Sequence, residues 1–300
     1  MKKVVYILGA ARSGSTLLDI VLGNSVDAFS CGELFQYPKR RGIPHGWPDV
    51  SERDAFWQQV EKRVRETSGI SYDTLKVVTD KIERHASFFY HVLPFYATSP
   101  VESYHTYVNL MFDTLFESSG KSILIDSSKR PSRALALNQF LHYSVYVIYL
   151  IRNPVHVIRS FAKKDVEQAS KTWLSANIYY FFANFFSSIT KKLLPEERFL
   201  TIYYENLLSH PVDQLTCIEN KFLIDLSHVK DIIISKRPLE VGYLFDGNRI
   251  RMQNWLRFNQ ATPMIESRPY DIITSSINWF WWNERLKTSS REALLTYAKT

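Results

Sequence analysis

Five apolar residues, Val4-Val5-Tyr6-Ile7-Leu8, lead directly into Gly9-Ala10-Ala11-Arg12-Ser13-Gly14-Ser15-Thr16. A helical stretch, Leu17-Leu18-Asp19-Ile20-Val21-Leu22, follows at once. Strand, glycine loop and helix start, in that order, aim backbone N–H groups and a helix N-terminus at an anion. This feature constrains the chain most, because it needs a buried strand in an α/β sheet with a phosphate-type loop at its end. The Walker A pattern puts Lys before its final Ser or Thr. Ser15 stands in that place, so no lysine reaches a γ-phosphate and an ordinary ATPase or kinase is disfavoured. Arg12 supplies the loop's cation instead.

Three more short runs read as buried parallel strands: Ser122-Ile123-Leu124-Ile125, Val145-Tyr146-Val147-Ile148-Tyr149-Leu150-Ile151 and Phe199-Leu200-Thr201-Ile202-Tyr203. Helical patterns separate them at 16–22, 54–67, 104–117, 155–164 and 171–192. Alternation of this kind implies βαβ units with helices on both faces of the sheet. The expected fold is therefore α/β, a P-loop-type three-layer α/β/α sandwich with a central parallel sheet. The 300 residues, 45% hydrophobic, suffice for one large core, and a single domain over 1–300 is expected. Residues 36–49 read as a loop. The stretch after Pro238, with Gly242, Gly247, Pro263 and Pro269, reads as an irregular C-terminal cover over the ligand edge. Helix 171–192 carries aromatics all round, which points to burial in the core, with lining of an acceptor pocket as the alternative.

Two cysteines, Cys31 and Cys217, allow no disulfide framework and no cysteine-built zinc site. They fit free thiols in a reducing compartment. The net charge of +7 calls for an anionic partner. The only tight basic run is Lys39-Arg40-Arg41, so nucleic acid is not the expected one. Met1-Lys2-Lys3 and the following apolar run imitate a signal peptide, but Arg12 follows the run too soon. No apolar window is long enough for a membrane span. A cytoplasmic location is expected.

A second anion site is legible where the third run ends in Arg152-Asn153-Pro154-Val155-His156-Val157-Ile158-Arg159-Ser160. Pro154 suits the first turn of a helix, and Arg152 would lie at a strand's carboxyl end, where open α/β sheets bind ligands. Arg-Ser-Gly-Ser-Thr after strand one, then Arg-Asn-Pro with Ser eight residues after the Arg, resembles the sulfotransferase family. Those enzymes use 3′-phosphoadenosine 5′-phosphosulfate (PAPS). The resemblance implies that residues 9–16, with Ala11, Arg12, Ser13, Gly14, Ser15 and Thr16, hold the 5′-phosphosulfate. It also implies that Arg152 and Ser160 hold the 3′-phosphate. Tyr203-Tyr204-Glu205-Asn206-Leu207 looks like the family's Tyr-Glu-Asp-Leu segment, with Asn206 in place of Asp. Gly247-Asn248-Arg249-Ile250-Arg251 looks like the late Gly-Asn-x-x-Arg segment that closes over the nucleotide. The bottom-up logic agrees, because PAPS carries about four negative charges and needs several Arg or Lys donors. Arg12, Lys129, Arg152, Arg249 and Arg251 are the candidates.

Sulfuryl transfer needs a base for the acceptor and a cation for the leaving phosphate. Ser30-Cys31-Gly32-Glu33 resembles the Cys-Gly-Glu segment of tyrosylprotein sulfotransferases, which makes Glu33 the implied base. Lys129, in Ser127-Ser128-Lys129-Arg130-Pro131, resembles the family's Lys-x-Pro segment and would meet the bridging oxygen. His85 is the alternative base. The expected function is transfer of a sulfuryl group from PAPS to an acceptor hydroxyl on a carbohydrate or glycoconjugate, without a metal. Phenolic, peptide or other small acceptors are the first alternative. A P-loop nucleotide phosphotransferase (a kinase) is the second, with Asp126 as its one candidate for a Mg²⁺ carboxylate. A non-catalytic nucleotide binder is the third. The acceptor itself is sought in segments 39–47, 82–107 and 257–282.

Overall fold

The computed structural model describes residues 1–44, 51–92, 101–163, 170–259 and 268–288. Its centre is a five-stranded parallel sheet: β1 Lys3–Gly9, β2 Ala28–Gly32, β3 Ile123–Lys129, β4 Ser144–Ile151 and β5 Phe199–Tyr203, in the order β2-β3-β1-β4-β5. Val4 to Leu8 are all fully buried, because both faces of β1 are covered. Val4, Tyr6 and Leu8 face one layer and Val5 and Ile7 the other, as a strand's two-residue period requires. One layer holds α2 Ser51–Ser68, α3 Tyr72–Glu83, α4 Phe88–Val92, α5 Val101–Ser119 and α6 Pro131–Phe140. The other holds α1 Ser15–Gly23, α9 Tyr204–Ser209, α10 Pro211–Phe222 and α11 Ser227–Ile234. The three-layer α/β sandwich inferred from the sequence is the fold observed.

The four strands read from the sequence are present, and β3 runs four residues further, through Asp126-Ser127-Ser128-Lys129. The fifth strand, β2, has no counterpart among the apolar runs of the sequence. Its sequence, Ala-Phe-Ser-Cys-Gly, has no apolar run; it becomes a strand by pairing with β3. Helices α3, α6, α10 and α11 were also missed. Two of them begin with a proline at their start, which ends the previous element and opens the next. The stretch 36–49 is turn and loop where it is described, and its residues 45–49 fall outside.

One expectation holds only in part. Helix α8, Trp173–Leu193, buries a stripe of mostly small and polar residues, Ala176, Asn177, Tyr180, Ala183, Asn184, Ser187 and Thr190. Its large apolar side chains are divided: Phe186 and Ile189 pack partly buried on the core, while Leu174 is 59% exposed, Phe182 50% and Phe185 39%. Close packing over β4 selects the small residues, since Tyr149 bonds Asn184 Oδ1 (2.8 Å) there. The cover after Pro238 holds a two-residue β-ribbon, β6 Leu239–Glu240 with β7 Trp255–Leu256, and α12 Pro269–Ile277. Helix α12 docks on α7 Pro154–Ala162 through Arg159 and Asp271 (Nε to Oδ1, 3.2 Å). No helix among the described residues is long and apolar enough to cross a membrane.

Candidate active site

At the carboxyl end of the sheet, the loop after β1 packs tightly. A Cβ on Gly9 would lie 2.4 Å from the Leu150 carbonyl oxygen, so only glycine fits between β1 and β4. Gly14 has φ +94°, and a Cβ there would lie 2.2 Å from the Tyr204 ring. Helix α1 starts after Gly14 with no side-chain cap, so its first backbone N–H groups remain available to an anion. Tyr179 of α8 accepts a hydrogen bond from Ala11 N–H at 2.9 Å and pins the loop from above.

Arg152 leaves β4 beside this loop. Its Nη1 donates to the Arg12 carbonyl (2.9 Å), and its guanidinium lies 4.5 Å from the Tyr204 ring centre. Its Nε is buried and has no partner among the described residues; the same is true of Ser13 Oγ, but Ser13 does not line the cavity described below. Buried donors left in that state are costly unless a ligand meets them. Helix α7 begins at Pro154, capped by Asn153 through the Val155 N–H (2.9 Å). Glu205 accepts from the Asn153 N–H (2.9 Å) and from Trp282 Nε1 (3.1 Å), so the Tyr-Tyr-Glu segment holds the Arg-Asn-Pro turn from below.

Glu33 and Lys129 end the neighbouring strands β2 and β3, and their side chains form an ion pair. The sequence assigned them separate tasks; the structure makes them direct partners, both largely buried. Lys129 takes φ +67°, an uncommon conformation for a non-glycine residue. Asp19 of α1 sets the spacing: its Oδ2 accepts from the Gly32 N–H (3.1 Å) and from Ser127 Oγ (2.6 Å). Glu33 N–H in turn donates to the Asp246 carbonyl (3.0 Å). Asp126 is fully buried and bound to Arg133 (2.9 Å) and Ser128, so the rival reading's candidate metal carboxylate is already engaged. Among the described residues no group of three or more His, Cys, Asp or Glu side chains could hold a metal ion.

These elements enclose a cavity of about 330 Å³. Of the residues expected at a nucleotide site, Ala11, Arg12, Gly14, Ser15, Thr16, Arg152, Ser160, Tyr204 and Asn248 line it, together with Glu33 and Lys129. Gly247 lies behind the wall, packed on Thr16, whose hydroxyl accepts from the Asn248 N–H (3.1 Å). The structure does not bring Arg249 or Arg251 to the wall. Arg249 is exposed, and Arg251 is buried with its Nη1 on the Gly247 carbonyl (2.9 Å). Arg257 and Asn259 line the cavity instead, and no motif had flagged them. His85 lies beside Arg130, and desolvation followed by the charge of Arg130 pushes its pKa down to about 4.

A model of the sulfotransferase family matches residues 5–227. The chain belongs to the sulfotransferase family. Three solved structures share this sulfotransferase's fold. The sulfotransferase domain of the curacin biosynthetic pathway is 16% identical, covering 92% of this chain and 97% of its own, with a TM-score of 0.52. The sulfotransferase domain of the Synechococcus PCC 7002 olefin synthase is 17% identical, covering 94% and 95%, with a TM-score of 0.53. Sulfotransferase STF9 from Mycobacterium avium is 12% identical, covering 93% and 76%, with a TM-score of 0.50. No curated protein matches this sulfotransferase in sequence.

The Asp19 clamp carries a pH signature. Burial pushes its carboxyl up to about 7, against hydrogen bonds from Ser127, Ser30 and Gly32 that favour the anion. The folded state therefore keeps a proton that the unfolded chain releases near pH 4. Stability is full below about pH 4 and falls as pH rises to about 7, by on the order of a few kcal/mol. Asp19→Asn keeps the acceptor for Gly32 and should flatten that slope. Urea midpoints at pH 5 and pH 8 check it; an equal decline in both proteins would clear Asp19.

Proposed function

We propose that this sulfotransferase moves a sulfuryl group from PAPS to an acceptor hydroxyl, with Glu33 as base and Lys129 at the leaving oxygen. The observation that carries the reading is a buried donor with no partner among the described residues, Arg152 Nε, on a residue of the cavity wall that also includes the uncapped start of α1. A donor set of this kind fits the phosphates and sulfate of PAPS. PAPS supplies the sulfuryl group; the chain holds it and handles the protons. The first turn of α1, with Arg12, Ser15 and Thr16, holds the 5′-phosphosulfate. Arg152 and Ser160 hold the 3′-phosphate, with Tyr204 under the guanidinium. Asn248 closes over the nucleotide. Glu33 accepts the proton of the attacking hydroxyl as the acceptor O–S bond forms and the S–O bond to phosphate breaks. Lys129 meets the charge that grows on that phosphate oxygen.

In this reading the whole chain is one catalytic unit working in the cytoplasm, where its two buried free thiols stay reduced. A carbohydrate or glycoconjugate hydroxyl is the acceptor favoured. The outward aromatic faces of Phe182, Trp279 and Phe280 suit sugar rings, and they are half or more exposed. Segments 39–47, 82–107 and 257–282, where the acceptor was sought, each run partly outside the described residues.

Calorimetry with 3′-phosphoadenosine 5′-phosphate tests the nucleotide assignment. Arg152→Ala should weaken its binding at least about tenfold, since charge-assisted bonds are worth roughly 1.5–3 kcal/mol each. The analogue lacking the 3′-phosphate should lose little. Equal losses for both would remove Arg152 from the 3′-phosphate. Turnover measured by mass spectrometry should persist in excess EDTA; rescue by Mg²⁺ would point to phosphotransfer instead.

A further inference from the structure

A second pair of side chains leaves the same two strand ends. Phe35 lies two residues beyond Glu33, and Arg130 one beyond Lys129, so along the chain it is within about 7 Å of the reacting pair. The Arg130 guanidinium sits 3.9 Å from the Phe35 ring centre. Tyr6 fixes its backbone twice: the Arg130 N–H donates to the Tyr6 hydroxyl (2.7 Å), which donates to the Arg130 carbonyl (2.9 Å). Among the described residues the side chain itself makes one long hydrogen bond, Nη1 to the Glu83 carbonyl oxygen at 3.4 Å. No carboxylate among the described residues comes within ion-pair distance of it. The Glu83 carboxylate is held by Arg133 and Tyr104.

Lys39 reaches the same ring, with Nζ 5.3 Å from the Phe35 centre. Its acidic partner, Asp80 (3.6 Å), is shared with Arg84 (2.6 Å). Lys39 and Arg84 thus share one carboxylate, and Arg130 feels its charge only at longer range. The rest of the basic run is engaged elsewhere, Arg40 with Asp246 (2.7 Å) and Arg41 with Asp73 (3.2 Å). Desolvation, the first cause, lowers the pKa of both Arg130 and Lys39. A guanidinium held largely out of water with no carboxylate in ion-pair contact is costly, and an incoming anion removes the cost. Phe35 covers one face of the guanidinium and leaves its N–H edge for a planar anion.

We propose that Phe35, Lys39 and Arg130 form an acceptor subsite for hydroxyl compounds that carry an anionic group, a carboxylate or sulfate, close to the reacting hydroxyl. The inference rests on the sulfotransferase reading above and narrows its acceptor class.

Matched acceptors test it: 4-nitrophenyl glucuronide against the glucoside, and 4-hydroxybenzoate against its amide. Each is followed by turnover with PAPS and by calorimetry on the enzyme loaded with 3′-phosphoadenosine 5′-phosphate. The anionic member should bind at least about tenfold more tightly, as one charge-assisted contact allows. Arg130→Gln should raise its KM about tenfold or more, with kcat changed only a few-fold. Lys39→Gln is a surface change that leaves the core alone, so it decides the matter even if Arg130→Gln misfolds. It should raise the same KM several-fold, and added salt should do likewise. A preference for neutral members, or an unchanged KM in Lys39→Gln at every salt concentration, would overturn the subsite. So would an Arg130→Gln defect confined to nucleotide binding. If the nucleotide binds and neutral acceptors are sulfated best, only the subsite falls. If the nucleotide does not bind, the reading beneath it falls as well.

Discussion

Glu33→Gln should lower kcat by at least about a hundredfold while affinity for 3′-phosphoadenosine 5′-phosphate stays within a few-fold. Loss of a general base typically costs about 10²–10⁴ in rate. Glutamine keeps the shape and still offers an oxygen to Lys129, so the end of β2 should hold its place. Its backbone anchors, the Gly32 N–H on Asp19 and the Glu33 N–H on the Asp246 carbonyl, do not involve the substituted group. The split between kcat and nucleotide affinity is what separates chemistry from architecture. Single-turnover rates with saturating PAPS read it directly. A variant with near-normal turnover would take the base role from Glu33. His85 would be the next candidate, as its lowered pKa keeps it neutral and able to accept a proton at pH 7.

Lys129→Ala should cost about 10²–10³ in kcat, the usual toll for removing a donor aimed at developing charge. Some nucleotide affinity should go too, because Lys129 lines the cavity already in the ground state. The ion pair adds a distinguishing consequence. Glu33 and Lys129 are both largely buried, so removing the lysine leaves a carboxylate with no cation against it. Lys129→Arg keeps a cation there and should recover part of kcat, whereas Lys129→Gln should lose about as much as Lys129→Ala. Equal losses in all three variants would mean that a cation opposite Glu33 is not what kcat requires.

Much of the fold follows from local pattern. The strands β1, β4 and β5 are unbroken apolar runs because both sheet faces are covered, and such runs stand out in any reading. Strand β2 does not, because Ala28-Phe29-Ser30-Cys31-Gly32 owes its conformation to the partner β3 and to Asp19, which lies elsewhere in the sequence. Helix α8 misled for a related reason. Its aromatic count signals burial, but which side faces the sheet depends on how closely β4 approaches, and there small residues win.

For the site, the chain alone determined the glycine loop after β1 and the Arg-Asn-Pro turn, and it singled out Glu33 and Lys129, which line one cavity. Each of these is a short contiguous motif whose geometry is set within a few residues. The tertiary structure alone decided the rest. It joined Glu33 to Lys129, 96 positions apart, and took Arg251 into a buried contact with Gly247. It also brought Arg257 to the cavity and divided Lys39-Arg40-Arg41 among three carboxylates. Side-chain partners of this kind are chosen by where separate strand ends and loops meet, and sequence proximity carries no information about that meeting.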